Sequence, residues 1–363
     1  MKKNIMIINF GTHFGGTEKY IHDIIKNLDL EKYNLHICCR SNTDFHKSIN
    51  KIDSKELSIV ALNISKTNFF NSISFLKKYI NKNNIDIIHS NGIFAELISS
   101  MAGKKIKKIS TVHGFSDKDR MDRSFVERKL FRILEKILFN SSELYIAVSK
   151  SIEVYLINLG LQKEKIRVIN HGIEIIKENN IETVNNKIVI GSVGRIEKVK
   201  GYKYLVKAVA NIINSGYLVE CIIVGDGEEK EEILKLSREL KIENYINLVG
   251  FKSNIYDYIK KMDIYVQPSL NESFGISILE AMNVYRPIIA SNVGGIPEII
   301  NNNIDGLLFE AGDYDELSDK IAYLINNKER RLELGINGHK KLIDQFDIKK
   351  SIKKLEELYD SLG

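Results

Sequence analysis

Apolar residues along the chain fall into two alternating periods. A continuous apolar run of strand length lies at 4–9, and further strand candidates lie at 35–39, 59–62, 85–89, 108–112, 144–148 and 166–169. Between most of them the apolar positions recur three and four apart, notably over 73–80, 94–101, 125–139 and 152–159, which predicts amphipathic helices. Tyr20, Ile21, Ile24, Ile25 and Leu28 show the same spacing after a helix start at Thr17 and Glu18. A polar stretch over 176–187 breaks the rhythm and predicts a linker. A second series follows, with strands at 188–193, 220–224, 246–249, 264–266 and 288–290 and helices at 204–213, 229–240 and 276–282. Residues 317–326 and a basic amphipathic stretch over 348–362 close the chain as helices. Such alternation implies parallel, doubly wound sheets with ligands at the carboxyl ends of the strands. The expected division is a first domain over 1–175, the linker 176–187, a second domain over 188–345 and a terminal helix within 346–363.

Composition narrows the class without naming a function. A chain of 363 residues with 44% hydrophobic and 28% charged residues suits two globular domains. No run approaches the roughly 20 apolar residues of a membrane span, and the basic start at Met1 reads as a first strand, not a signal peptide. Cys38, Cys39 and Cys221 lie in apolar runs without metal spacing, which predicts buried thiols in a reducing cytoplasm. The net charge of +6 suits an anionic substrate or surface. Nucleic acid fits less well, because no aromatic-interleaved basic strand or reader motif is present.

Candidate chemistry gathers at strand ends. The first strand runs into Gly11-Thr-His-Phe-Gly15-Gly16, a turn where backbone could approach a phosphate or sugar, though the dinucleotide fingerprint spacing is absent. His89, Asn91, His113 and His171 stand at later strand ends and suit a cleft wall. In the second series, Gly194-Arg195-Ile-Glu-Lys-Val-Lys200-Gly201 places two cations over a helix start, a clamp suited to a pyrophosphate. Lys198 shares the loop and the charge but falls outside that pattern. Further on, Val266-Gln-Pro-Ser-Leu-Asn-Glu272-Ser-Phe274-Gly275-Ile276-Ser277-Ile-Leu-Glu280-Ala-Met joins a strand, a polar loop and a helix start, with one carboxylate on the loop and one a turn into the helix. Carboxylates flanking an anion site fit a ligand with phosphates in the middle and hydroxyl-bearing groups at its ends. All three prolines, Pro268, Pro287 and Pro297, fall in this window and stiffen its loops.

The Glu272-to-Glu280 spacing, with Ser-Phe-Gly between and Ala-Met after, resembles the E-x7-E signature of the family-4 retaining glycosyltransferases. Gly194-Arg195 through Lys200-Gly201 matches that family's G-R-x4-K-G pattern, and Val224-Gly225-Asp-Gly227 resembles its V-G-x-G turn. The resemblance covers nearly the whole chain and is strongest from Gly191 to Glu298. It implies the GT-B architecture: two doubly wound, Rossmann-like domains facing across a cleft, an acceptor-side domain first and a nucleotide-sugar donor domain second, with the last helix returning to the first domain. It implies that Glu280 accepts the ribose hydroxyls, that Glu272 orients the hexose, and that His113 lies beside the donor sugar. It also implies that main chain near Phe251 holds the base, with Gly15, Gly16, Gly225, Phe274, Gly275, Ile276 and Ser277 around the donor. Gly294-Gly295-Ile-Pro297-Glu298 reads as a loop supporting that site. His89, Asn91 and His171 remain as acceptor-side candidates.

The expected activity is transfer of a hexose or N-acetylhexosamine, from a nucleoside-diphosphate sugar with UDP favoured, to a glycan or lipid-linked glycan of a bacterial surface polysaccharide. Arg195 and Lys200 supply the positive charge, so no cofactor or metal is expected. The alternatives are a nucleotide-sugar-binding protein without turnover and an NAD-dependent oxidoreductase, the latter disfavoured by the missing fingerprint. The expected location is cytoplasmic, with the inner face of the plasma membrane open. Lys104, Lys105, Lys107 and Lys108 form a basic cluster. Arg123, Arg128, Lys129, Arg132 and Lys136 line the helix 123–139 beside Val126, Leu130, Ile133, Leu134 and Ile137. Peripheral docking on an anionic membrane is one reading of that helix. An ordinary sheet-packed helix with a solvated basic face is the favoured one, because sheet packing needs the same apolar stripe.

Overall fold

The computed structural model describes residues 2–362 except 13–14, 53, 66, 104–105, 117–118, 120, 122–123 and 177–186. Lys104, Lys105, Arg123 and most of the expected linker therefore lie outside the described residues. Contacts divide the chain into two units, one comprising Met1–Asp117, Phe125–His171 and Ile348–Gly363, the other Lys118–Ser124 and Gly172–Asp347.

The first unit is built on strands β1 (Lys3–Asn9), β2 (Tyr33–Arg40), β3 (Leu57–Leu62), β4 (Ile87–Asn91), β5 (Lys107–Val112), β6 (Leu144–Ala147) and β7 (Ile166–Val168). Its helices are α1 (Gly16–Asn27), α2 (Asp44–Ile49), α3 (Phe69–Lys82), α4 (Ile93–Ala102), α5 (Phe125–Leu138) and α6 (Lys150–Leu159). The strands are parallel in the order β3-β2-β1-β4-β5-β6-β7. The order reverses between β1 and β4, so the carboxyl ends of those strands open a crevice between oppositely directed crossovers.

Strands buried on both faces must be apolar throughout, which is why β1 reads Ile5-Met6-Ile7-Ile8 with every side chain inaccessible. Ile5, Ile7 and Ile37 pack with α1, whose Tyr20, Ile21, Ile24 and Ile25 are buried. Met6, Ile8 and Cys38 point the other way, against α3 and α4. The cysteines are buried free thiols.

The second unit carries β8 (Ile188–Val193), β9 (Val219–Val224), β10 (Ile246–Gly250), β11 (Ile264–Gln267), β12 (Ile288–Ser291) and β13 (Leu307–Phe309). Its helices are α7 (Tyr202–Asn214), α8 (Lys230–Glu239), α9 (Tyr256–Ile259), α10 (Ile276–Asn283), α11 (Ile296–Ile299), α12 (Tyr314–Asn326) and α13 (Lys328–Gln345). The parallel order is β10-β9-β8-β11-β12-β13, with its reversal between β8 and β11.

The closing helix α14 (Ile348–Ser361) belongs to the first unit. Its Ile348, Ile352, Leu355, Leu358 and Tyr359 join the core of β1, β2 and α1. Burial of each such side chain stabilises by about 1.5–3 kcal/mol, enough to hold the chain end on that sheet. Among the described residues, no helix is long and apolar enough to cross a membrane.

Candidate donor and acceptor residues

In the second unit, β8 and β11 are neighbours at the topological reversal, and the two candidate loops leave their carboxyl ends side by side. Backbone contacts lock the loops together. Leu270 N–H donates to the Val199 carbonyl at 2.7 Å. Gly201 has φ +67°, and a Cβ there would stand 2.1 Å from the Pro268 carbonyl oxygen. Only glycine permits that approach, and it brings Lys200 to the glutamate loop. Lys200 Nζ lies 2.7 Å from Glu272 Oε2, with the two side chains 18% and 12% exposed. Lys198, two residues earlier, points into solvent.

Glu272 is held from several sides. Its Oε2 also accepts from Ser269 Oγ at 3.3 Å and from Gln267 Nε2 at 3.4 Å. Its carbonyl takes the Gly295 N–H at 2.9 Å, and a Cβ on Gly294 would sit 1.8 Å from the same oxygen. The residues flanking it, Asn271 and Ser273, donate to the Asp119 carboxylate at 2.5 and 3.2 Å. Gly294-Gly295 and Asp119 thus shape the loop, and Glu272 points its carboxylate at Lys200.

Gln267 is the residue that sequence reading passed over. It is fully buried at the end of β11. Its Oε1 accepts from Tyr265 Oη and Ser277 Oγ, both at 3.0 Å, while Nε2 donates to Ser269 Oγ at 2.8 Å. This network ties Glu272 to the first turn of α10. A lone glutamine closing an apolar strand is the one signal the sequence offered for it.

Phe274 is core, 2% exposed and edge-on to Phe346 at 5.8 Å, so it anchors the helix start with its ring turned away from solvent. Gly275 precedes α10 with φ +119°. The N–H groups of Ile276 and Ser277 open that helix, where backbone donors have no partner within the helix. Glu280 is buried one turn on, next to Tyr265. Burial first, with Glu280 among the neighbouring charges, holds the Tyr265 phenol well above its ordinary pKa and keeps it protonated.

The glycine turns behind this corner pack on one another. A Cβ on Gly225 would stand 1.9 Å from the Gly194 carbonyl, and one on Gly227 would stand 2.4 Å from that of Ile196. Gly225 N–H in turn donates to Gly250 at 3.0 Å. Gly225 therefore sets the path of the Arg195 loop. Arg195 is exposed and pairs with Glu197 at 2.5 Å, and Phe251 is 65% exposed beyond β10.

In the first unit the histidines divide. His113, at the end of β5, shares its Nε2 with Asn91 Oδ1 at 2.8 Å. That contact assigns the proton to Nε2 and leaves Nδ1, which is buried without a partner among the described residues, as an acceptor. His171 stacks on His113 at 5.5 Å, and Tyr20 meets both rings edge-on. Burial, with His171 and His89 nearby, pushes the His113 pKa well below its usual value, and burial takes His171 to about 3.

His89 is inaccessible and uses both nitrogens, bonding Tyr359 Oη at 2.7 Å and Thr111 Oγ1 at 2.6 Å. It has nothing left to offer an acceptor; it clamps β4 and β5 to α14. The glycine turn after β1 differs from expectation in a similar way. Glu18 is buried and accepts from Gly15 N–H and Asn9 Nδ2, each at 2.9 Å. A carboxylate thus already fills the start of α1, which sets Gly15 and Gly16 as parts of the turn.

The description Glycosyltransferase Family 4 matches residues 14–176, and Glycosyl transferases group 1 matches residues 174–341. The chain belongs to glycosyltransferase family 4. This glycosyltransferase is 25% identical over 351 residues to the UDP-Gal:alpha-D-GlcNAc-diphosphoundecaprenol alpha-1,3-galactosyltransferase of Escherichia coli, covering 91% of this chain and 89% of that one. It is 27% identical over 366 residues to the capsular polysaccharide biosynthesis glycosyltransferase CapM of Staphylococcus aureus, covering 93% and 95%. Among solved structures, Anabaena Alr3699/HepE in complex with UDP-glucose superposes with a TM-score of 0.86 at 21% identity, covering 99% of each chain. That likeness fixes the fold as GT-B.

Proposed function

We propose that this glycosyltransferase moves a hexose or N-acetylhexosamine from a UDP-sugar to a glycan or lipid-linked glycan, with retention at the anomeric carbon and without a metal. The observation that carries the reading is the meeting of Lys200, Glu272 and the start of α10 at the β8/β11 reversal. As the bond from the sugar carbon to the phosphate oxygen breaks, the departing diphosphate takes the electron pair. Lys200, Arg195 and the N–H groups of Ile276 and Ser277 receive the growing negative charge, each such donor worth about 3 kcal/mol in the transition state. The acceptor oxygen bonds to the same face of the sugar and passes its proton to the departing phosphate oxygen. Glu280 binds the ribose hydroxyls, and Glu272 the hexose once Lys200 has turned to phosphate. In the first unit His113, neutral near pH 7, keeps Nδ1 as an acceptor.

UDP is favoured because the Escherichia coli relative is named for UDP-Gal and the Anabaena neighbour is seen with UDP-glucose. A lipid-linked acceptor in surface polysaccharide synthesis at the cytoplasmic side is favoured by the diphosphoundecaprenol and capsular names of the two relatives.

A thermal-shift screen of UDP, UDP-sugars, GDP-mannose and NAD tests the reading. A ligand at 100 times its dissociation constant stabilises by about 2.7 kcal/mol, so a UDP compound should raise the unfolding midpoint. Turnover of the sugar so identified should persist in excess EDTA. A shift with NAD and none with any nucleoside diphosphate would sink the proposal; activity lost in EDTA and restored by magnesium would remove the metal-free part.

A further inference from the structure

Helix α5 turns the wrong face outward for a helix that only packs on a sheet. Val126, Leu130, Ile133 and Ile137 recur at helical spacing, and all four are exposed, Ile137 by 70%. Phe125 at the helix start is 72% exposed. The side that attaches the helix is instead Glu135 and Leu138, with Tyr155 Oη donating to Glu135 Oε2 at 2.7 Å. The favoured expectation for this helix is thereby corrected: of its apolar stripe, Val126, Leu130, Ile133 and Ile137 face solvent, and only Leu134 is half-buried.

Lys129, Arg132 and Lys136, also exposed, follow one edge of the stripe at spacings of three and four. Glu127 is the one exposed acidic residue on the helix. On α3, in the same helical layer as α4 and α5, Phe70 and Phe75 are exposed with Lys77 and Lys78.

We propose that α5 lies on an anionic lipid bilayer, with Val126, Leu130, Ile133 and Ile137 in the acyl boundary and Lys129, Arg132 and Lys136 at the headgroups. An apolar stripe with a basic edge is what an interfacial helix requires, and long basic side chains reach the headgroup plane while their stems stay apolar. A second copy of this chain fits less well. Two such stripes packed together would bring basic edges close, with one exposed carboxylate per helix to offset them. The inference concerns the first unit alone and does not depend on which sugar the second unit binds.

Sedimentation of the full chain with lipid vesicles tests it. At low salt the protein should bind vesicles of phosphatidylcholine mixed with phosphatidylglycerol, ignore pure phosphatidylcholine, and release as salt screens the headgroups. Lys129→Glu with Lys136→Glu should weaken binding by on the order of a hundredfold. Leu130→Gln with Ile137→Gln should weaken it by about tenfold or more. Because these side chains are exposed, both variants should keep the wild-type unfolding midpoint. Wild-type protein that ignores anionic vesicles overturns the proposal, as does binding that neither variant weakens. A dimer that Leu130→Gln with Ile137→Gln dissolves would show the stripe to be covered by a second copy, and would overturn it too.

Discussion

The pair Lys200–Glu272 makes a prediction that a merely structural ion pair would not. At 2.7 Å, in an effective dielectric of about 20–40, two unit charges attract by about 3–6 kcal/mol before desolvation. Both side chains are mostly buried, so desolvation cancels much of this, and a net coupling of about 1–3 kcal/mol is expected. Urea unfolding of wild type, Lys200→Met, Glu272→Gln and the double variant gives that coupling as a double-mutant cycle. If Lys200 must leave Glu272 to meet the donor phosphate, the two single variants should differ in UDP binding. Lys200→Met removes a charged hydrogen bond of about 1.5–3 kcal/mol, and UDP affinity should fall tenfold or more by calorimetry. Glu272→Gln frees Lys200 from its resting partner, and UDP affinity should rise severalfold. Lys198→Met, in the same loop but in solvent, should change neither quantity. A coupling energy near zero would refute the pairing. Equal losses of UDP affinity in the two single variants would refute the exchange of partners.

Three further outcomes rest on backbone and burial. Gly225→Ala should cost about 3 kcal/mol and weaken UDP binding, because its Cβ would drive the Gly194 carbonyl and the Arg195 loop aside. Gly250→Ala, with φ +73° but open space around it, should cost about 1–2 kcal/mol by the same unfolding assay. His89 and His171 are held to about 3, against an unfolded value of about 6.5. Between those values the unfolded chain binds more protons, so stability falls as pH drops from 7 to 5, by about 2 kcal/mol for each histidine. His89→Gln should shrink that pH dependence by about one histidine's share in urea midpoints; an unchanged dependence would show that His89 stays charged in the fold.

Much of this was legible in the chain itself. A strand buried on both faces such as β1 is written as an apolar run, and helices as three-and-four spacing, because burial demands those residues wherever the elements end up. The clamp loop and the Glu272–Glu280 window were legible too, since a strand end, a glycine and a helix start are adjacent in sequence. Helix α13 was not. It carries Gly335 and Gly338, which read as breakers; in the fold a Cβ on Gly335 would stand 2.2 Å from the Tyr285 carbonyl, so close packing overrides local propensity. Strand β13, three residues long, is too short to show a period.

Tertiary structure alone decided the site. Strand order places β8 beside β11, and no local pattern encodes which strands become neighbours. That choice is what sets Lys200 on Glu272 across seventy-two positions of chain, and Gln267 between Tyr265, Ser269 and Ser277. The same holds for what each polar group has left to offer. His89 and His113 look alike at their strand ends, yet α14 returns to occupy one and not the other. Periodicity could draw the apolar stripe of α5, but it could not say which way the stripe faces, because orientation is fixed by the neighbours that Glu135 and Leu138 find.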